Sequence, residues 1–180
     1  YLQPTISPES ATVFEHCART LDRSLTVGSH GLPLMGGGDW NDGMNRVGHL
    51  GKGESVWVGW FLHTVIAGFV PLCNQRQEAD RADRYRKHMK DLKLALEENA
   101  WDGDWYRRAY FDDGTPLGSA KNDECRIDSI AQSWGVISRA AERDRAKHSM
   151  AAVDQQLIVR GDGLVRLLAP PFDRTKLEPG

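Results

Sequence analysis

The amino-acid sequence predicts an all-α fold in which long functional loops connect the helices. Five segments carry apolar residues at helical spacing, and turn-forming residues separate them. Residues 28–53 show little periodicity, and loops of that length are usually functional or disordered. The tryptophan, leucine and methionine in this stretch favour an ordered, functional loop. The predicted helices cover residues 8–27, 54–69, 75–99, 127–142 and 144–159.

The first predicted helix is bounded by residues typical of helix ends. Ser7 can cap its amino terminus, Pro8 suits its first turn, and Gly28 can end it. Four residues at helical spacing are expected to form its buried stripe: Val13, Cys17, Leu21 and Leu25. The second predicted helix, residues 54–69, is apolar on nearly every side, which indicates burial. Glycine and histidine interrupt its short apolar run, so a membrane span is not favoured.

The third predicted helix, residues 75–99, has a strongly charged outer face. Its inward face is expected to carry Tyr85, Met89, Leu92 and Leu96. In residues 101–119, which follow, aromatic and charged residues alternate around Asp-Gly pairs. This pattern predicts a short β-hairpin or an irregular insert before the last two helices.

Composition restricts the classes of function. The chain has 180 residues, 40% hydrophobic and 27% charged, with a formal net charge of -2. These values are typical of a globular protein without a basic surface for nucleic acid. Its three scattered cysteines form no C-x-x-C pair, which argues against a disulfide framework or a zinc site and fits a reducing compartment. We expect no metal and no nucleic-acid partner, and we expect the chain to be a piece of a longer polypeptide.

The segment GLPLMGGGDWNDGM, residues 31–44, places three glycines directly before two aspartates and a tryptophan. Cleavage of a glycosidic bond needs an acid that protonates the departing oxygen. An apolar wall or a second carboxylate prepares such an acid, and Trp40 and Asp39 could supply these beside Asp42. A turning loop can direct one aspartate to the substrate while the other accepts backbone N–H bonds. The glycines would let a sugar approach the backbone closely.

Residue types alone leave other interpretations of this segment open. A structural loop with Asx turns and a core tryptophan is about equally compatible with it. A calcium loop is disfavoured, because Leu50 stands where position 12 of that pattern needs glutamate. Residues 48–55 also lack the serine or threonine that follows the lysine of a P-loop.

Residues 31–62, GLPLMGGGDWNDGMNRVGHLGKGESVWVGWFL, resemble the inverting glycoside phosphorylases that include cellobiose phosphorylase, glycoside hydrolase family 94. The blocks FEHCARTLDRSL, WDGDWYRRAYFDDGTPLGS and DECRIDSIAQSWGVIS are similar to the same family. Within it, the chain looks most like the phosphorylase-like domain of cyclic β-1,2-glucan synthases. The resemblance implies that residues 1–180 are part of a single (α/α)6 barrel catalytic domain, truncated at both ends, since five helices cannot close a barrel of twelve.

The resemblance also implies the chemistry. Asp42 matches the family's general acid and Trp40 its sugar-contacting tryptophan, and Asn41 and Asp39 beside them are expected to bind substrate. Inorganic phosphate would be the co-substrate, and this anionic nucleophile removes the need for the base of an inverting hydrolase. No other cofactor is implied. The family's glycine-rich phosphate motif has no counterpart here, so either the phosphate-binding residues lie beyond residue 180 or this chain cannot perform phosphorolysis alone.

Three further residues are candidates for substrate binding. Arg108 is preferred to Arg107, because adjacent positions in a strand face opposite sides. Glu124, Asp128 and Gln132 would share one helix face if the helix had begun by Glu124. Glu124 and Gln132 could then bind sugar hydroxyls, with helix capping and ion pairing as the open alternative.

The predicted function is inverting phosphorolysis of β-linked glucan, with β-1,2-glucan favoured, by a glycosyltransferase of the glycoside phosphorylase type. The expected partners are β-glucan oligosaccharide, phosphate and the remainder of the parent polypeptide, without membrane contact by this segment. The resemblance implies a parent anchored in the bacterial inner membrane, with this soluble segment on the cytoplasmic face. An inverting glycoside hydrolase and a non-catalytic carbohydrate-binding fragment remain alternatives.

Overall fold

Helices dominate the computed structural model, which describes residues 3–174 and 178–180. Within those residues the chain forms five α-helices, a π-helical turn and three small antiparallel sheets whose strands are two residues long. The helices are α1 Val13–Ser24, α2 Val56–Gln75, α3 Ala79–Ala95, α4 Ser129–Ile137 and α5 Arg143–Gln156. The mostly helical prediction is confirmed, and several predicted boundaries need correction.

Helix α1 begins later than predicted. Its N-cap is Thr12, whose hydroxyl accepts a hydrogen bond from the Glu15 amide at 3.2 Å. The predicted cap, Ser7, instead accepts a hydrogen bond from the amide of Glu9 and lies outside the helix. A threonine five positions after Ser7, directly before the first helical residue, thus serves as the cap.

The buried face of α1 agrees with the predicted stripe at Leu21 and Leu25 and differs from it at the first two positions. The residues that face the core are Phe14, Ala18, Leu21 and Leu25. Val13 is 80% exposed and Cys17 is exposed, so both are wrong as core predictions. Two apolar stripes compete in this sequence, and burial of the phenylalanine removes more apolar surface from water than burial of the valine.

Helix α2 lies in the main core. Ser55 caps it, since its hydroxyl accepts a hydrogen bond from the Val58 amide at 3.1 Å. The predicted end at residue 69 is wrong, because the helix continues through Pro71 and still buries Cys73. By length and hydropathy alone α2 could cross a membrane, but 44% of its apolar window is buried in the fold, which makes this weak evidence for a span.

Helix α3 packs along α2. The predicted inward residues contact the core, which confirms that face: Tyr85, Met89, Leu92 and Leu96. The helix begins at Ala79 instead of residue 75, because Gln77 has a left-handed φ of 60° that separates the two helices. A π-helical turn, Leu96–Ala100, follows α3.

The predicted hairpin within residues 101–119 is confirmed. Strand β2 (Ala109–Tyr110) pairs with β3 (Pro116–Leu117), and it also pairs with β1 (Glu54–Ser55). The unpredicted β1 brings the start of α2 against the hairpin. Two further strand pairs form: β4 (Ile127–Asp128) with β7 (Leu168–Ala169), and β5 (Ile158–Val159) with β6 (Leu164–Val165).

The predicted fourth helix is too long at both ends. Residues 127–128 form a strand, and the Asp128 carboxylate caps α4 by accepting a hydrogen bond from the Ile130 amide at 2.8 Å. Helix α4 stops at Ile137, shortly before Arg139 adopts a left-handed φ of 57°. The predicted fifth helix corresponds to α5.

A second, smaller core lies beneath the glycine-rich loop. Its buried residues are Met35, Met44, Val47, Ala109, Phe111, Leu117 and Cys125. Met35 and Met44 stand on either side of the GGGDWND segment, residues 36–42. Burial of both methionines therefore anchors the loop at each end of its polar part.

Asp112, in the hairpin, holds the far end of this loop. Its carboxylate accepts hydrogen bonds from the amides of Leu50, Lys52 and Gly53 at 2.8–2.9 Å. Burial by itself would raise the pKa of Asp112, but the three amides lower it below the usual value on balance.

We expect Asp112→Asn to lower the free energy of unfolding by about 2 kcal/mol, because an amide cannot accept all three hydrogen bonds as a carboxylate does. The folded-state pKa of Asp112 is depressed, so its contribution is complete above about pH 4 and is lost as the pH falls through the folded-state pKa. Urea unfolding at pH 7 and at about pH 2.5 measures the free energy of unfolding of both proteins. The difference between Asp112→Asn and the unsubstituted chain should be smaller at the acidic pH. Asp104→Asn, at an exposed position, is the control; equal losses for Asp112→Asn at both pH values would contradict the interpretation.

Candidate active site

The glycine-rich loop leaves the core in a direction fixed by Glu54. The buried Glu54 carboxylate accepts hydrogen bonds from the amides of His30 and Leu32 at 3.0 Å. His30 Nδ1 lies 2.5 Å from Glu54 Oε2, and the imidazole stacks on the Tyr110 ring with centroids 3.8 Å apart. These contacts order the chain immediately before the glycines.

The glycines themselves border open space. A Cβ added at Gly36 or Gly37 would meet no atom within 4 Å. Gly36 and Gly38 have φ values of 61° and 131°, in the region that favours glycine. The loop therefore turns here with open space beside Gly36 and Gly37, and a ligand has room to approach on that side.

Asp39 is the structural member of the aspartate pair. Its side chain has no solvent exposure. It accepts hydrogen bonds from Ser55 Oγ at 2.7 Å, Arg108 Nη2 at 2.7 Å and the Asn41 amide at 3.1 Å. Burial alone would raise the pKa of Asp39, but Arg108 and the other donors hold it below its usual value. Asp39 thus braces the loop and presents no free oxygen to a substrate.

Arg108 is fully buried between two carboxylates. Besides its bond to Asp39, its Nε lies 3.5 Å from Asp128 Oδ2, and its Nη1 donates to Ser55 Oγ at 3.3 Å. Complete burial raises the pKa of Asp128, and the guanidinium opposes that rise. Because Ser55 caps α2 and Asp128 caps α4, Arg108 ties the loop to the starts of both helices.

Asp42 occupies the exposed end of the same loop. It is the first residue of a 3-10 turn, Asp42–Met44, which Asn41 caps by accepting a hydrogen bond from the Gly43 amide at 3.0 Å. Among the residues that the structure describes, the Asp42 carboxylate has no hydrogen bond or ion pair. The two aspartates three residues apart thus have opposite surroundings, as expected for one bracing group and one group available to a ligand.

Trp40 lies between the two aspartates in sequence and is 44% exposed. A large aromatic side chain so exposed is uncommon in a packed core, and its face is of the kind that contacts the apolar faces of sugars. The core tryptophan of the structural alternative is therefore wrong, whereas its Asx turns do form, at Asp39 and Asn41. The site thus combines open space beside two glycines, an accessible indole and a carboxylate without a partner among the described residues.

The predicted ladder of Glu124, Asp128 and Gln132 does not form, because α4 begins only after Asp128. Glu124 precedes the helix and accepts hydrogen bonds from the amides of residues 173 and 174, at 2.9 and 2.6 Å. It therefore holds the chain near the carboxyl end.

Gln132 supports the hairpin from inside the fold. It is fully buried, its Oε1 accepts a hydrogen bond from the Tyr106 amide at 2.8 Å, and its Nε2 donates to the Tyr106 carbonyl at 2.7 Å. Nε2 also donates to the Asp128 carbonyl at 2.9 Å. The Gln132 side-chain amide is thus hydrogen-bonded inside the fold, as the Arg108 guanidinium is.

Sequence reasoning missed Ser55, which orients the loop from the start of α2. A serine directly before an apolar run is a recognised helix-start signal and could have identified it. Glu54, which directly follows the loop in sequence, was expected to brace the loop rather than to act in catalysis, and its contacts with His30 and Leu32 confirm that role. In the described part of the chain, no group of three or more His, Cys, Asp or Glu residues is arranged to hold a metal ion.

We expect Arg108→Met to lower the free energy of unfolding by about 3–5 kcal/mol, because two buried carboxylates would lose their cation. The control is Arg160→Met, which breaks an exposed pair with Asp154 and should cost about 1 kcal/mol or less. Urea unfolding of the three proteins measures both effects. Equal losses for the two substitutions would show that removing the cation from the buried cluster costs no more than breaking an exposed ion pair.

Comparison with known proteins gives the family. Residues 3–180 match the model of the "Glycosyl hydrolase 94 superfamily, catalytic domain". The whole chain is 49% identical to the cyclic beta-(1,2)-glucan synthase NdvB of Rhizobium meliloti (strain 1021), of which it covers 6%. Over 92% of its length it is 37% identical to the 3-O-beta-D-glucopyranosyl-beta-D-glucuronide phosphorylase of Paenibacillus borealis, covering 21% of that protein. Over 98% of its length it is 30% identical to the cellobionic acid phosphorylase of Neurospora crassa, covering 22%.

The chain therefore spans less than a quarter of the length of each of these relatives. The relatives include a glucan synthase and glycoside phosphorylases, all of them carbohydrate-active enzymes. The family model, in contrast, matches nearly all of this chain. The predicted relationship is confirmed: the chain belongs to the glycosyl hydrolase 94 superfamily, within its catalytic domain.

Proposed function

We propose that this chain carries the acid of an inverting glycoside phosphorylase. Asp42 donates its proton to the interglycosidic oxygen, the bond from that oxygen to the anomeric carbon breaks, and inorganic phosphate attacks the carbon from the opposite face. The products are α-glucose 1-phosphate and a shortened glucan. The observation that carries the proposal is the contrast between the buried, fully bonded Asp39 and the exposed Asp42, three residues later, beside an exposed tryptophan.

The other predicted site residues take two roles in this proposal. Trp40 contacts the sugar, and the open side of Gly36 and Gly37 lines its path. Asn41 and Asp39 hold the loop, Arg108 bonds to Asp39 from inside the fold, and Gln132 supports the hairpin through the Tyr106 backbone. Glu124 contributes through the chain near residue 173, which its carboxylate orders.

We propose β-1,2-linked glucan as the substrate because a cyclic beta-(1,2)-glucan synthase is 49% identical over the whole chain. The phosphorylase relatives are named for other glycosides and are less similar. In a synthase of this kind, phosphorolysis would shorten glucan chains before ring closure.

The chain is proposed to be one part of a single (α/α)6 barrel in a longer polypeptide. Large apolar side chains on α2 and α4 remain exposed, as expected where further helices complete the layer: Phe61, Leu72, Val136 and Ile137. The phosphate-binding residues would come from that remainder. We place the parent on the cytoplasmic face of the bacterial inner membrane; three free cysteines in the described chain fit a reducing compartment.

Phosphate dependence tests the reaction class. The polypeptide that carries this chain is incubated with β-1,2-linked gluco-oligosaccharides with and without inorganic phosphate, and products are followed by NMR. We expect α-glucose 1-phosphate only when phosphate is present. Free α-glucose formed without phosphate would instead identify an inverting hydrolase, and calorimetric binding of the oligosaccharide without any product would identify a carbohydrate-binding domain.

Asp42→Asn tests the acid. The rate of phosphorolysis should fall on the order of 100- to 10,000-fold, because the departing oxygen loses its proton donor. The loss should be much smaller with a dinitrophenyl β-glucoside, whose leaving group needs no protonation. Asp113→Asn, an exposed aspartate in the hairpin turn, is the matched control and should retain normal rates. Near-normal phosphorolysis by Asp42→Asn would exclude Asp42 as the acid.

A further inference from the structure

Residues 178–180 lie against the turn that carries Asp42. The Arg46 amide donates a hydrogen bond to the Pro179 carbonyl at 2.8 Å, and the Arg46 guanidinium pairs with the Glu178 carboxylate. Pro179 is buried although both of its neighbours are exposed. Residues 178–180 are thus fixed to the glycine-rich loop at Arg46, although they lie more than a hundred positions further along the sequence.

Gly180 makes the closest approach of this segment to the turn. A Cβ added there would lie 2.1 Å from the Gly43 carbonyl oxygen, 2.3 Å from Asn45 Oδ1 and 2.8 Å from the Asn45 amide nitrogen. Two of these three atoms belong to the backbone of the loop, and backbone atoms cannot move aside as a flexible side chain can. Any residue other than glycine at position 180 must therefore displace the segment or the turn.

We propose that Glu178, Pro179 and Gly180 form an acid-loop clamp, a positioning segment that holds Asp42 for proton transfer. The inference rests on the proposed function, because it assigns the clamp a role in the step that Asp42 performs. Its physical basis is that the Asp42 carboxylate has no partner among the described residues, so the backbone of the turn must set its position. Met44 holds that backbone by its burial in the small core, and Asp39 holds it by accepting a hydrogen bond from the Asn41 amide. The clamp contacts it at Gly43, Asn45 and Arg46.

Gly180→Ala tests the clamp, with Gly161→Ala as its matched control. Each substitution adds one methyl group, but a Cβ at Gly161 meets no atom within 4 Å. For Gly180→Ala we expect kcat to fall on the order of 10- to 100-fold, as for an acid displaced by about 1 Å. KM for glucan and phosphate and the melting temperature should stay close to those of Gly161→Ala. The measurements use the longer polypeptide that carries this chain.

Amide exchange supplies a readout that does not depend on activity. Hydrogen exchange at the Arg46 amide should accelerate in Gly180→Ala, because its bond to the Pro179 carbonyl is lost. Glu178→Gln, which removes only the ion pair to Arg46, should give a smaller change of the same sign in both exchange and kcat.

Unchanged kcat in Gly180→Ala would overturn the proposal, as would parallel losses of kcat and melting temperature, which indicate a structural role alone. If the unsubstituted polypeptide shows no phosphate-dependent turnover, the proposed function fails and the catalytic role of the clamp fails with it. Arg46 exchange would still show whether residues 178–180 hold the turn, so the two failures are distinguishable.

Discussion

The position of the glycine-rich loop depends on one buried cation, Arg108. Its guanidinium lies between the carboxylates of Asp39 and Asp128, which place it in contact with the loop on one side and the start of α4 on the other. The Ser55 hydroxyl, which caps α2, contacts both Arg108 and Asp39. A buried ion pair contributes little net stability compared with apolar packing, but breaking one is costly. The cluster therefore specifies the position of Asp39, and with it the polar part of the loop, more than it supplies stability.

This arrangement explains why two aspartates so close in sequence behave differently. Asp39 uses its oxygens on a cation, a hydroxyl and a backbone amide, and these bonds fix the peptide that leads to Asp42. Asp42 follows at the start of a short turn whose last residue, Met44, is buried in the small core. The backbone of the loop can therefore fix the position of the Asp42 carboxylate, which has no hydrogen bond or ion pair among the described residues. In the proposed function Asp42 gives up and regains a proton, and such a group benefits from being positioned by its backbone, since its oxygens then remain available to the substrate.

The sequence predicted what depends on local patterns and failed where distant contacts decide. The inward face of α3 follows from helical periodicity alone, and the hairpin follows from its Asp-Gly turn. The first half of the α1 face was misplaced because two apolar stripes fit the same spacing, and only packing against α2 and α3 selects the one with Phe14. Arg108 and Gln132 were chosen as residues that bind sugar, but the structure buries both: Arg108 bonds to Asp39 in the glycine-rich loop, and Gln132 bonds to the Tyr106 backbone in the hairpin. Nothing in their neighbours distinguishes a buried polar group from one that faces a ligand, because the distinction depends on Asp39 and Tyr106, which are distant in sequence.

The burial of Asp39 also bears on the choice between phosphorolysis and hydrolysis. An inverting hydrolase needs two free carboxylates separated widely enough to admit a water molecule between them. Of the two aspartates in the loop, the one that could have served as the base has no free oxygen and no solvent contact. A reaction that supplies its own anionic nucleophile has no use for such a base and leaves the protein one task at this loop, the placement of a single acid. In the proposed function, the contacts that Arg108, Met44 and residues 178–180 make along residues 39–46 serve that task. An acid that has no partner for its carboxylate among the described residues is only as well placed as the backbone that carries it.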